Sequence, residues 1–163
     1  MIGAINSAKI KPRMNINIVK IERNHIRELQ ELLNLFSDAF DWSNFQSPDE
    51  KWLLNLLDNS RFYVFAAIAE QKLIGGLTAY SLQQYYTATE LVYVYDLAVA
   101  QTWRRRGVGK MLMNELFNFC KSNQIYEVFV QADEEDAEAI TFYQSIGPFT
   151  KKAMDFTFHL SKY

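Results

Sequence analysis

A run of arginines meets two glycines at the start of a predicted helix. The run reads Arg104-Arg105-Arg106-Gly107-Val108-Gly109-Lys110 and follows a long apolar stretch. Glycine lets a backbone approach a ligand closely, and the free amides at a helix start favour an anion. Four cations at this place oppose the helix dipole, each by about 0.3–1 kcal/mol when exposed, and they repel one another. A bound polyanion would reverse both penalties, so the pattern predicts a phosphate site; a solvated turn is the alternative.

A single carboxylate, Asp96, interrupts the apolar stretch from Val92 to Val99 that precedes this loop. Apolar residues on both faces of the stretch predict a strand in the middle of a sheet. A carboxylate there is costly unless it is paired, hydrated or functional. Partial burial would raise its pKa toward the range that suits a general base. The alternative is an aspartate at a strand end or bulge, bonded to backbone or to an arginine.

Acidic residues are concentrated in one short segment, with five acids in the six positions 133–138. Helix capping explains one or two of them. The others predict a local negative field that would attract and orient a cationic substrate. A solvated acidic face is the alternative. The candidate substrate-binding acids are Asp133, Glu134 and Asp136, together with Asp38 and Asp41 in the loop before the second helix.

The apolar periodicity of the chain predicts the elements that must position these residues. The order is strand, two helices, three strands, helix, strand, helix and strand, which indicates a mixed α/β or α+β domain with one central sheet. At the second helix, we expect Ser47 to cap, Pro48 to take the first position and Glu50 to close a capping box. Strands are expected at 15–22, 61–69, 73–83, 91–99, 127–131 and 154–160, and the other helices at 25–40, 107–121 and 136–145.

Length and composition limit the class of protein. The 163 residues are 49% apolar, enough for one core, with a predicted tail at 1–14 and one domain over 15–163. The net charge of −2 disfavours a basic nucleic-acid binder. No apolar run reaches the roughly 18 residues of a membrane span, and no signal peptide is recognisable. One cysteine, Cys120, fits a reducing compartment, so we expect a cytoplasmic protein. The two histidines form no metal-like cluster, and no metal is expected.

The loop and the strand before it resemble the GNAT superfamily of N-acetyltransferases. Its signature, Arg/Gln-x-x-Gly-x-Gly/Ala after an apolar strand, is filled by Arg104, Gly107 and Gly109. The resemblance implies a mostly antiparallel twisted sheet flanked by about four helices, with two strands splayed to hold coenzyme A. It further implies that acetyl-coenzyme A is the cosubstrate and that its binding residues are Leu97, Ala98, Val99, Arg104, Arg105, Arg106, Gly107, Val108, Gly109 and Lys110.

A closer resemblance covers about residues 30–158. The segment Tyr95-Asp96-Leu97-Ala98-Val99, the glycine loop and Tyr143 are together similar to the class I, gentamicin-type aminoglycoside 3-N-acetyltransferases. The resemblance implies that Asp96 is the general base and that Tyr143 protonates the departing thiolate. It also implies direct attack without an acyl-enzyme, at the 3-amino group of an aminoglycoside, giving antibiotic resistance. Many GNAT enzymes have asparagine where this chain has Asp136, which leaves the role of Asp136 open.

Other readings of the same residues stay open at this point. The acceptor could instead be a polyamine or a protein amino group. The chain could also be a catalytically silent domain that binds acyl-coenzyme A as a sensor. A tyrosine on a half-buried helix, such as Tyr143, is most often a core residue. A homodimer is compatible with the resemblance, and neither nucleic acid nor a membrane is an expected partner.

Overall fold

The computed structural model describes residues 15–160, and the predicted tail at 1–14 lies outside them. Two compact units divide the chain after Gln131, and the first contains the whole sheet. The elements of the described residues are β1 Ile16–Lys20, α1 Ile26–Ala39, α2 Glu50–Leu57, β2 Phe62–Ala69, β3 Lys72–Gln84, β4 Thr89–Val99, α3 Val108–Ser122, β5 Val128–Val130 and α4 Ala137–Gln144.

The five strands form one sheet in the order β1-β2-β3-β4-β5. The first four are antiparallel to their neighbours, and β5 runs parallel to β4. The prediction of a mostly antiparallel α+β sheet with about four helices is therefore confirmed, and β4 lies inside the sheet as its apolar faces indicate. A tight turn joins β2 to β3, and its residues Glu70 and Gln71 have positive φ angles of 51° and 62°.

Helices cover both faces of the sheet in the first unit. On one face, Phe119 of α3 packs edge-on against Tyr63 and Phe65 of β2. On the other face, α1 and α2 contribute Leu32, Phe36 and Leu53 to a buried cluster that also contains Val64 and Ala66 of β2. Burying one such leucine or phenylalanine stabilises the fold by about 1.5–3 kcal/mol.

A glycine allows α1 to pack directly on the sheet. A Cβ atom at Gly76 in β3 would lie 2.6 Å from Cδ1 of Leu32, well inside van der Waals contact. Leu32 itself is completely buried. Any side chain at Gly76 would therefore push α1 away from β3, which costs packing energy across the whole contact.

Two local predictions are wrong. The cap of α2 is Asp49, whose carboxylate accepts from the Trp52 amide at 2.7 Å, whereas the Ser47 hydroxyl donates to the Pro48 carbonyl. Ser, Thr and Asp are similar caps, so the choice between nearby ones depends on where the backbone turns. Residues 154–160 form no strand in the described part of the chain. Alternating apolar residues specify two faces, but a strand also needs a neighbour for its backbone groups.

Candidate active site

A β-bulge divides β4 into two halves that are paired differently. Thr78 lies opposite Asp96 and Ala79 lies opposite Val94, so Tyr95 is the additional residue of the bulge. On its other side, β4 pairs with β5 only over residues 92–94. The first half of β4 therefore has neighbours on both sides over residues 92–94. Among the described residues, the half after the bulge is paired only with β3, because β5 ends at Val130. The splaying of two strands to hold coenzyme A stays a prediction.

Within the part of the chain that the structure describes, the half of β4 after the bulge has no neighbouring strand on its β5 side. The amide of Ala100 donates to the Ile74 carbonyl of β3 at 2.8 Å. Because backbone groups alternate between the two sides of a strand, Leu97 and Val99 present theirs away from β3. The Val99 carbonyl accepts from Arg104 Nε at 3.2 Å, in agreement with this direction. Ala98 faces β3 with its backbone and is buried, so its predicted contact with coenzyme A is not supported by the pairing.

Asp96 is half-buried directly after the bulge. The Thr78 hydroxyl, itself buried in β3, lies 3.4 Å from Asp96 Oδ2 and donates to it. Burial raises the pKa of Asp96 above its ordinary value, and the hydrogen bond from Thr78 lowers it by less. Desolvation disfavours the charged form, so the carboxylate is a better proton acceptor than a solvated one. Sequence reasoning missed Thr78, which only the β3–β4 register brings to Asp96.

The predicted phosphate loop forms the start of α3. Gly107 is the residue before the helix, with φ of 83°, and Arg105 also has a positive φ of 61°. Among residues 15–160, no side chain caps α3, and the first turn of the helix has no acid. The charged side chains here are exposed, and the Arg106 guanidinium lies 5.1 Å above the ring of Trp103. Amides without a side-chain cap together with Arg104, Arg105, Arg106 and Lys110 favour an anion, which supports the predicted phosphate site.

The remaining predicted residues lie in different parts of the chain. Asp38 is exposed near the end of α1, and Asp41 is exposed just after it with φ of 52°. In the second unit, Asp136 caps α4 by accepting from the Ala139 amide at 2.9 Å, which supports a structural role. Glu134 lies 3.5 Å from the Lys152 ammonium, and Asp133 is exposed.

Tyr143 occupies the last turns of α4 in the second unit and is half-buried. Its ring centroid lies 5.0 Å from that of Phe142. These contacts are compatible with packing as well as with chemistry, and the catalytic role of Tyr143 stays a prediction. Among residues 15–160, no helix is long and apolar enough to cross a membrane. Within the same residues, no three His, Cys, Asp or Glu side chains are placed so that they could hold a metal ion together.

Residues 29–147 match the model of the Acetyltransferase (GNAT) family. This chain belongs to that family. Its bulge, the half of β4 that lies beyond β5 and its cationic helix start are therefore parts of an acetyltransferase domain, and the family's acyl donor is acetyl-coenzyme A.

Solved structures agree with the family assignment. The chain is similar to the aminoglycoside acetyltransferase meta-AAC0020 from an uncultured soil metagenomic sample. In its trehalose complex the identity is 39% and the TM-score 0.85, covering 88% of this chain and 95% of that one. Its complex with sisomicin gives 38% identity with the same TM-score and coverage. The aminoglycoside acetyltransferase HMB0005, from an uncultured soil metagenomic sample, is 30% identical with a TM-score of 0.85, covering 90% and 99%.

Proposed function

We propose that this protein transfers the acetyl group of acetyl-coenzyme A to an amine of an aminoglycoside, at its 3-amino group. The observation that carries the proposal is the half-buried Asp96, which directly precedes the open backbone edge of β4. That edge leads within a few residues to the cationic start of α3. Identities of 30–39% to two aminoglycoside acetyltransferases over most of the chain support the choice of acceptor.

The residues of the first unit fit the donor. The uncapped amides of α3 and the cations around Gly107 suit a pyrophosphate, which would offset their mutual repulsion. Backbone groups of Leu97 and Val99 on the open side of β4 suit the amide-containing pantetheine arm. When bound, acetyl-coenzyme A supplies a thioester whose carbonyl carbon accepts the amine.

In the proposed reaction, Asp96 acts as the general base. An ammonium group has no lone pair for attack, so it must first lose a proton, which Asp96 takes directly or through water. A backbone amide of Leu97 or Val99 stabilises the negative charge that develops on the carbonyl oxygen. The amine nitrogen bonds to the thioester carbon and then loses a second proton to water. The carbon–sulfur bond breaks, and Tyr143 gives its proton to the thiolate and regains one from water. No residue of the chain becomes acetylated.

The proposed acceptor explains the biological consequence. An aminoglycoside carries several ammonium groups, and acetylation converts one of them into a neutral amide. Loss of that charge weakens binding to the phosphate backbone of RNA. The proposed result is antibiotic resistance, and the exposed acids Asp38, Asp41, Asp133 and Glu134 are candidates for attracting the polycation.

Replacement of the base tests the mechanism. Asp96→Asn should lower kcat by about 10²–10⁴-fold, the usual contribution of a positioned base, while the Kd for coenzyme A stays unchanged. In the wild-type protein, kcat/KM should fall as the pH drops through the pKa of Asp96, which lies above that of an ordinary aspartate. Asp49→Asn is the matched control because asparagine preserves the cap of α2. Unchanged kcat in Asp96→Asn would remove Asp96 from the mechanism.

A panel of acceptors tests the substrate. Aminoglycosides, linear polyamines and peptides with free N-termini are compared by the release of free coenzyme A thiol. We expect aminoglycosides to give the highest kcat/KM, and NMR of the product to show the acetyl group on the 3-amino nitrogen. Preference for polyamines or peptides would reassign the acceptor. Tight coenzyme binding without thiol release from any amine would indicate a sensor domain.

A further inference from the structure

Five aromatic rings form a continuous row across one face of the sheet, called here the aromatic row. It consists of Phe62 of β2, Tyr80 of β3, Tyr95 and Tyr93 of β4, and Phe129 of β5. Successive ring centroids lie 4.9, 5.7, 5.8 and 4.8 Å apart. Contacts of this length are the normal spacing of interacting aromatic pairs.

The strand register places the aromatic row on the same face as Asp96. Phe62 lies opposite Tyr80, and Thr78, two residues from Tyr80, lies opposite Asp96. Residues two apart in a strand, and residues opposite each other on neighbouring strands, share a face. Burial is the largest effect that raises the pKa of Tyr80, and the charges of Tyr95 and Asp96 raise it further. These effects agree with the proximity of the three side chains.

The bulge turns Tyr95 onto this face. In a regular strand Tyr95 would point to the face opposite that of its neighbour Asp96. Because Tyr95 is the additional residue, its ring instead lies against those of Tyr80 and Tyr93. Tyr95 is 61% exposed, whereas the other four rings of the row are only half-exposed or less. The exposed ring thus contacts two neighbouring rings, each at a steep angle of 78° or 76°, and is next in sequence to the half-buried carboxylate.

Such a ring beside a carboxylate matches the chemistry of a cationic amino sugar. The face of an aromatic ring attracts an ammonium group and packs against the C–H groups of a saturated ring. The carboxylate of Asp96 adds an opposite charge within the same surface. A neutral sugar would gain only the packing of its C–H groups, and an anionic one would be repelled by Asp96, so the combination favours a cationic sugar.

We propose that Tyr95, supported by the aromatic row, is an acceptor-binding subsite that holds an amino-sugar ring and directs one ammonium group toward Asp96. The subsite rests on the proposed function, because it deepens the recognition of the aminoglycoside. Tyr95 is a specificity-determining residue in this scheme, while Asp96 performs the proton transfer. The ring, not the hydroxyl group, supplies the contact.

Three variants test the subsite with sisomicin as the acceptor. Tyr95→Leu should raise the KM for sisomicin about 10-fold, the order that a desolvated cation–π contact supplies, with kcat within about 2-fold of wild type. Tyr95→Phe should behave as wild type because it keeps the ring. Tyr85→Leu, at a tyrosine that is 98% exposed beyond the end of β3, is the matched control and should change neither constant.

Titration calorimetry separates binding from folding. The Kd of coenzyme A should be equal in all variants, and the Kd of sisomicin for the coenzyme-loaded protein should rise only in Tyr95→Leu. If Tyr95→Leu binds coenzyme A poorly, Tyr95→Gln, which suits an exposed position, takes its place. The proposed subsite would be wrong if Tyr95→Leu had the same KM for sisomicin as the wild type. It would also be wrong if Tyr95→Phe raised this KM as much as Tyr95→Leu does. Failure of the proposed function is a different result, because the wild-type protein itself would then not acetylate sisomicin.

Discussion

Helix α2 begins after Asp49, whose carboxylate accepts from the Trp52 amide, and Glu50 adds a second acid to its first turn. Helix α3 begins after Gly107, without a side-chain cap, without an acid and with cations on both sides of the glycine. The first amides of α2 are thus satisfied by a side chain of the chain itself, and those of α3 are the ones to which we propose that a pyrophosphate binds.

The start of α3 destabilises the folded protein relative to a capped start such as that of α2. A missing N-cap costs about 1 kcal/mol, and each misplaced exposed cation about 0.3–1 kcal/mol. The left-handed backbone at Arg105 adds about 1–2 kcal/mol because its Cβ crowds the carbonyl. Helix α4 follows the pattern of α2, with Asp136 as its cap. Helices α2 and α4 are thus capped by aspartate, whereas α3 combines a start without a side-chain cap with a run of cations, which supports the proposed anion site.

Charge reversal at the start of α3 should have the largest effect. The double variant Arg104→Glu, Arg105→Glu should weaken coenzyme A binding at least about 100-fold, or about 2.8 kcal/mol, measured by titration calorimetry. Lys51→Glu, an equivalent reversal at an exposed residue in the first turn of α2, is the control and should leave the Kd unchanged. A loss below threefold in the double variant would contradict an electrostatic pyrophosphate site.

Coenzyme A should stabilise the folded protein by filling the open helix start. At 100 times its Kd, the ligand should raise the free energy of unfolding by about 2.7 kcal/mol, seen as a higher Tm. The rise should shrink as salt is added, because the contacts are made by exposed cations. A salt-independent rise would place the binding energy in apolar contacts instead.

Removal of the cap of α2 should have a smaller effect that is confined to stability. Asp49→Ala should lower the free energy of unfolding by about 1 kcal/mol, measured by urea denaturation. Asp49→Asn should restore most of the loss, and coenzyme A affinity should be the same in both. A change in affinity would show that the two helix starts are not independent.

The smallest effect on stability is expected from replacement of Asp96, and it should stabilise the protein instead of destabilising it. Burial raises its folded-state pKa, so between the unfolded and folded pKa values the native state binds more protons than the unfolded state. Stability therefore falls as the pH rises through this window. Asp96→Asn should raise the Tm at neutral pH, and the gain should disappear below the unfolded pKa. A lower Tm at neutral pH would show that the Thr78 hydrogen bond outweighs the desolvation.

Sequence periodicity predicted most elements to within a few residues. The helix expected at 25–40 is Ile26–Ala39, and the strand expected at 91–99 is Thr89–Val99. Periodicity succeeds there because the side chains that bury one face are close in sequence. It failed at 154–160, where Met154, Phe156, Phe158 and Leu160 alternate but are all exposed. Whether such a segment becomes a strand depends on a neighbouring edge, which no local pattern specifies.

The features that predict a phosphate site are local in the chain. The cations, the glycines and the helix start are contiguous between residues 104 and 110. The prediction of an anion site therefore does not depend on residues that are distant in sequence. The residues around Asp96, in contrast, come together only when the sheet is folded. Thr78 is 18 residues away along the chain, and the bulge at Tyr95 follows from how β3 and β4 are aligned. Register is set by packing over the whole sheet, and a shift of one residue would turn these side chains to the other face.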